Sequence, residues 1–340
     1  MLHTRDLKIA KLHQEVLMLR AENARLRREV NDLEDSRLTI DKIRLNKVDC
    51  AYYTGLPEFG IFETMFQHFA PRASQMEYWK CRRRSSGQTK GRMRDFDHKD
   101  EFFMVLVRLR TGMPGKEISR NFGISEGHFI KVLATWINFL RHELKAVTRF
   151  PTCEELQAYL PDAFTRFADT RVVLDGTEVR VQKPSSLAAQ RQTFSYYKHY
   201  NTYKAVVGCT PDGYICHVSK LWGGSVSDRA IVDESGLLEQ LEPEDALMVD
   251  KGFKLNNIPP GVRVHIPCFR KPGEPQMQED ELVHTQRIAS ARVIVERVIG
   301  RVKQFHILDR PFPITMIDIA EQVFHVCCYL SNFRGPLINV

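Results

Sequence analysis

Val172-Val173-Leu174-Asp175-Gly176-Thr177 decides how this chain reads: an apolar, β-branched run ends on a carboxylate and a glycine. Such a run favours a strand, and a charged residue directly after it is poor core material. Leu247-Met248-Val249-Asp250-Lys251-Gly252 repeats the arrangement. A glycine follows each acid, directly at Gly176 and after Lys251 at Gly252, and would let another part of the chain approach closely. Working outward, residues 171–179, 203–209 and 214–221 alternate as strands, with Pro211-Asp212-Gly213 as the hairpin turn between the last two. A helix over 228–241, strands over 246–249 and 262–266, a long helix over 279–304 and a helical segment over 317–333 complete the back half.

Three strands in a meander, then helix, strand and helix, is the element order of a ribonuclease H-like sheet, an α/β architecture. In that layout Asp175 stands at the end of the first strand and Asp250 just after the short one, with Glu296 inside the long helix. Clustered carboxylates of this kind suit hard cations such as Mg²⁺ or Mn²⁺, which keep waters and accept phosphate oxygen. The acids would then act as ligands and not as nucleophiles. Arg292, Glu296 and Lys303 recur at helical spacing, so Arg292 could orient Glu296 and Lys303 could reach a phosphate. Asp228 is a rival ligand, although a place in the first turn of a helix is explanation enough for it. Glu178 points away from Asp175, because residues three apart on a strand face opposite sides.

The front half has a different character. Residues 1–150 hold 28 Lys/Arg against 19 Asp/Glu, a balance of +9, while the rest of the chain balances at −2, within a total of +7. Polyanion binding and chemistry are thus expected to be divided between the halves. Ile9, Val16, Asn23 and Val30 alternate with Leu12, Leu19, Leu26 and Leu33 in a 4-3 repeat, which favours a two-stranded coiled coil and hence a homodimer. Residues 46–98 read as a linker, aromatic and Gly/Pro-punctuated at first. A basic cluster of Arg82, Arg83, Arg84, Lys90, Arg92 and Arg94 follows, suited to phosphate contact or nuclear import. Residues 99–150 are helical in period and contain a helix-turn-helix from Gly115 to Leu133. Ser125 is its N-cap, and His128 and Lys131 lie in the first exposed turns of the second helix. Lys198, His199 and Lys204 add a third basic group suited to DNA backbone.

Composition narrows the classes. With 340 residues and 43% hydrophobic content the chain supports a sizeable core and smaller modules. No apolar run is long enough to span a bilayer, so a membrane partner is not expected. Eight cysteines without a C-x-x-C pair read as reduced thiols and not as a zinc finger.

Five motifs carry a resemblance. They are Leu174-Asp175-Gly176-Thr177-Glu178, the run from Tyr197 to Lys204, the run from Gly223 to Asp228, Val249-Asp250-Lys251-Gly252-Phe253, and Arg292-Val293-Ile294-Val295-Glu296-Arg297. In this order and separation the chain resembles the DDE superfamily endonucleases of Harbinger-like DNA transposons from about residue 95 onward. The resemblance implies a triad of Asp175, Asp250 and Glu296 over Asp228 and Glu178. It also implies Mg²⁺ or Mn²⁺, and cleavage of double-stranded DNA at transposon terminal repeats in the nucleus, with a cytoplasmic pool. The DNA contacts it leaves to Arg82, Arg83, Arg84, Lys90, Arg92, Arg94, His128, Lys131, Lys198, His199, Lys204, Arg292 and Lys303, with a separate DNA-binding subunit as an alternative. A transposase-derived DNA-binding or adaptor protein without nuclease activity is the second expectation. A ribonuclease would leave the helix-turn-helix without a purpose. The expected layout is therefore a coiled-coil helix over 1–45, a linker over 46–98, a helix-turn-helix domain over 99–150 and a ribonuclease H-like nuclease over 151–340.

Overall fold

The computed structural model describes residues 2–36, 38–78, 96–253, 255–269 and 278–337, and in the first stretch the side chains of 11–32. The basic cluster at 82–94 lies outside these residues. The chain opens with one helix, α1 (Leu2–Ser36), whose described side chains are all exposed. Its described repeat residues, from Leu12 to Val30, stand exposed.

After α1 come α2 (Ile40–Leu45), α3 (Lys47–Thr54) and α4 (Phe59–Ala73). The expected linker is thus helical over much of its first part, and Cys50, Leu56, Phe62 and Phe69 are buried. The physical reason is the punctuation itself. Gly55 takes a left-handed φ of 78° and closes α3, and Leu56 beside it enters the core, so the Gly-Leu-Pro run turns between two packed helices. Phe62 stacks on Phe102 with ring centroids 5.2 Å apart.

Phe102 belongs to α5 (His98–Thr111), buried almost all round. It is followed by α6 (Gly115–Phe122) and α7 (Glu126–Val147). Gly123, at φ 69°, ends α6, and its N–H and that of Ile124 satisfy the last carbonyls of that helix. Ser125 then caps α7 by accepting the His128 N–H at 3.2 Å.

The back half begins with α8 (Cys153–Gln157) and β1 (Thr170–Arg180). Next come α9 (Leu187–Thr193), β2 (Phe194–Ser195), β3 (Tyr200–Cys209), β4 (Ile215–Val218) and β5 (Trp222–Gly223). The chain ends with α10 (Asp228–Asp233), β6 (Ala246–Met248), β7 (Arg263–His265), α11 (Glu279–Lys303) and α12 (Ala320–Ser331). The helix expected over 228–241 is interrupted: Gly236 adopts φ 71° and only a short 3₁₀ turn follows at Leu238–Gln240.

The sheet runs β2-β3-β1-β6-β7, with β4 and β5 also on β3. β1 is central, antiparallel to β3 and parallel to β6, which is parallel to β7. Its side chains alternate between two apolar layers. Val173, Val207 and Met248 join Ile294, Val295 and Val323 of α11 and α12, in a cluster continuous with α5 and α7. Val172, Leu174, Val206 and Leu247 pack with Ile231 and Val232 of α10. A helical unit with a helix-turn-helix and a mixed, ribonuclease H-like sheet therefore share one core. Among the described residues no helix is long and apolar enough to cross a membrane.

Candidate metal and nucleic-acid site

β1 pairs with β6 only as far as Val173 opposite Met248. Two residues further along the chain stand Asp175, still on β1, and Asp250, just past the end of β6, so the parallel register brings both acids to one level. Asp175 is not at the end of its strand: β1 continues to Arg180 against β3. It lies where β6 has stopped, and an internal residue of the strand is open toward solvent on that flank.

α11 crosses this face and brings Arg292 between the two acids. Its guanidinium donates to Asp250 at 2.9 Å and lies 3.8 Å from Asp175, while Arg292 itself is 7% exposed. Arg292 therefore does not pair with Glu296, as helical spacing suggested, and is too buried to offer itself to DNA. The reach across the sheet defeats the local i,i+4 pair. Glu296, one turn further along α11, is exposed.

Asp175 records the electrostatics of the group. Burial raises its pKa above the ordinary carboxylate value, and Asp250 and Glu296 push it the same way. Arg292 and the Gly176 N–H, which donates to Asp175 at 2.9 Å, pull it down. Asp175 thus senses two further acids and the buried Arg292 guanidinium. Among the described residues, no three His, Cys, Asp or Glu side chains are drawn together closely enough to cage a metal ion as they stand.

Glu178 and Asp228 form a separate cluster across the sheet. Glu178 accepts from Ser195 at 3.1 Å and from Thr202 at 2.8 Å, and Lys204 lies 3.9 Å away. Lys204 also reaches Asp228 at 3.5 Å. A Cβ added to Gly176 would stand 2.7 Å from Asp228, so the close approach expected of this glycine is that of the Asp228 carboxylate. Because the Cβ direction at residue 176 is opposite to that at 175, Asp228 belongs to the far face, and its proposed role as an extra ligand is not supported. Lys204 is occupied by two carboxylates and is not free for phosphate. Gly252, by contrast, has open space where its Cβ would be.

The other basic candidates are displayed. Lys198 and His199 are exposed on the turn entering β3, where Tyr196 and Tyr197 are also exposed and the Lys198 ammonium sits 4.8 Å from the Tyr197 ring. His199 adopts φ 60° in this turn. Burial lowers the pKa of Lys303, and Lys198 adds to the effect while Asp175 and Glu178 oppose it. Lys303 of α11 therefore senses both Asp175 and the exposed Lys198. On the helix-turn-helix, Lys131 is exposed and His128 is half-buried with its ring 5.4 Å from Tyr78. Lys116 and Arg120 of α6 are exposed as well, a pair the sequence reading passed over although their i,i+4 spacing displays them together.

Comparison with known families adds two findings. Residues 174–332 match the DDE superfamily endonuclease, and residues 97–146 match the helix-turn-helix of DDE superfamily endonuclease. Neither a curated protein nor a solved structure matches the chain.

Proposed function

We propose that this chain, which belongs to the DDE superfamily of endonucleases and carries that superfamily's helix-turn-helix, cleaves phosphodiester bonds in double-stranded DNA at transposon ends. The observation that carries the reading is the matched placement of Asp175 on β1 and Asp250 two residues past the end of the adjacent parallel β6, with Glu296 on α11. An all-oxygen, anionic donor set beside open solvent fits Mg²⁺ or Mn²⁺, and these three acids would hold it. A divalent cation bound there supplies activation of the attacking oxygen and stabilisation of the leaving oxygen.

The chain's own groups do the rest. Gly176 N–H fixes one oxygen of Asp175. Arg292 lies within ion-pair reach of both acids and offsets the repulsion between Asp175 and Asp250. Lys303, which senses Asp175, and Lys198, which senses Lys303, would receive the flanking phosphates. The helix-turn-helix, through Lys116, Arg120 and Lys131, would hold duplex DNA and fix its register. Work on such a substrate would place the protein in the nucleus.

A second reading, a DNA-binding protein that no longer cuts, is favoured by one observation: Arg292 already neutralises the pair that a metal would need. Cleavage of a duplex carrying the flanking inverted repeats of the source genome, in Mn²⁺, decides between them. The nuclease reading expects cutting that stops with chelator and in Asp175→Ala. Equal cutting by Asp175→Ala would overturn the site, and DNA binding without cutting in any metal would establish the second reading.

A further inference from the structure

The longest unpartnered surface among the described residues is α1. Leu12, Val16, Leu19, Leu26 and Val30 are between 41% and 61% exposed along one stripe, and the described side chains from 11 to 32 touch nothing that hides them. At about 1.5 Å per residue the helix extends on the order of 50 Å. An apolar stripe of this length needs a partner, and the charges beside it say which.

With Val16, Asn23 and Val30 at position a and Leu12, Leu19 and Leu26 at position d, the flanking g positions hold Glu15, Glu22 and Glu29. The flanking e positions hold His13, Arg20 and Arg27. In a parallel, in-register pair, each g residue faces the e residue of the following heptad on the other helix. Glu15 then meets Arg20 of the second copy and Glu22 meets Arg27, each twice by symmetry. Further along, Glu29 would face Glu34, so the complementarity is concentrated in the first two heptads. In an antiparallel pair g faces g and e faces e. Glutamates would oppose glutamates and arginines would oppose arginines. Asn23 at a, set among β-branched residues, further selects two strands in one register. In the single chain Glu22 has only an exposed partner, Arg25 at 3.2 Å, which is a weak competitor.

We infer that α1 is a homotypic interface, whose partner is a second copy of this chain bound parallel and in register through Glu15–Arg20 and Glu22–Arg27 pairs between copies. Leu38 is already buried in the globular core two residues after α1 ends, so both globular parts leave the same end of the pair on short tethers. One consequence rests on the nuclease reading above: two helix-turn-helices would be delivered together, to DNA carrying two copies of one sequence.

The test uses the full chain without DNA, so its failure is separate from any failure of the nuclease reading. Light scattering of the wild type should give the mass of two chains. A Glu15→Arg, Glu22→Arg variant and an Arg20→Glu, Arg27→Glu variant should each dimerise about tenfold more weakly or worse. Mixed in equal amounts, they should restore a two-chain complex. Leu12→Cys should form a disulfide between copies on mild oxidation, above the wild-type background, because only a parallel register brings the two residues 12 together. A monomeric wild type, charge variants that dimerise like wild type, a mixture that stays monomeric, or absence of the Leu12→Cys crosslink would each overturn the proposal.

Discussion

The two faces of β1 hold acid clusters of nearly the same composition and opposite character. Toward α11, Asp175 and Asp250 share Arg292; toward α10, Glu178 and Asp228 share Lys204. The α10-side cluster is closed in on Glu178, whose two oxygens accept from Ser195 and Thr202 and whose side chain is 10% exposed. The α11-side cluster is open at Asp250, with a side chain 52% exposed, and Glu296 is exposed on α11. Two carboxylates and one cation therefore make a structural tie when hydroxyl donors fill the remaining lone pairs. They make a site when those lone pairs face water.

The largest effect should come from exchanging one acid on each face. Asp250→Ala is expected to abolish metal-dependent cleavage and to cost about 1 kcal/mol, because the Arg292 guanidinium loses an acceptor that is itself half exposed. Glu178→Ala is expected to cost about 3 kcal/mol, because two hydroxyls and Lys204 lose a buried acceptor, and to keep cleavage in the folded fraction. Denaturation and cleavage measured on both variants would break the comparison if the two outcomes were interchanged.

A buried group with no opposite charge sharpens it further. Burial, with His325 and Lys145 adding to it, pushes the pKa of His217 down to about 4 from 6.5. The folded protein thus resists a proton that the unfolded chain accepts. The resulting stability is fully present above pH 6.5 and is lost as the pH falls toward 4, on the order of 3 kcal/mol for this group. Unfolding curves at pH 7 and pH 4.5 should show this loss in the wild type and a smaller one in His217→Asn.

The smallest effect probes the contact between the clusters. Gly176→Ala would set a Cβ against Asp228, the mobile end of a side chain, and is expected to cost about 1 kcal/mol by loosening Asp228 from Lys204. Cleavage should persist, because residue 176 points away from Asp175.

Much of this arrangement was legible from residue pattern. The apolar runs ending on Asp175 and Asp250, the turn at Gly213, the long helix through Glu296 and the cap at Ser125 show in side-chain pattern and punctuation. What escaped the pattern depended on distance along the chain. Arg292 was read with Glu296 because helical spacing reveals neighbours on one helix, whereas its actual partners are 42 residues away at Asp250 and on β1. Residues 47–73 were read as linker because Gly55 and Pro57 look like a loop. The phenylalanines at 59, 62, 66 and 69 carried a helical period that a packed partner, Phe102, makes meaningful. Asp175 was placed at a strand end because the apolar run stops there, although pairing with β3 carries the strand onward through polar residues.

The most direct measurement is a calorimetric titration of Mn²⁺ into the wild type, Asp175→Ala and Glu178→Ala. Binding by the wild type and by Glu178→Ala with similar affinity, and its loss in Asp175→Ala, is the result expected if the α11 face is the metal site. Undiminished binding by Asp175→Ala, or loss confined to Glu178→Ala, would contradict it.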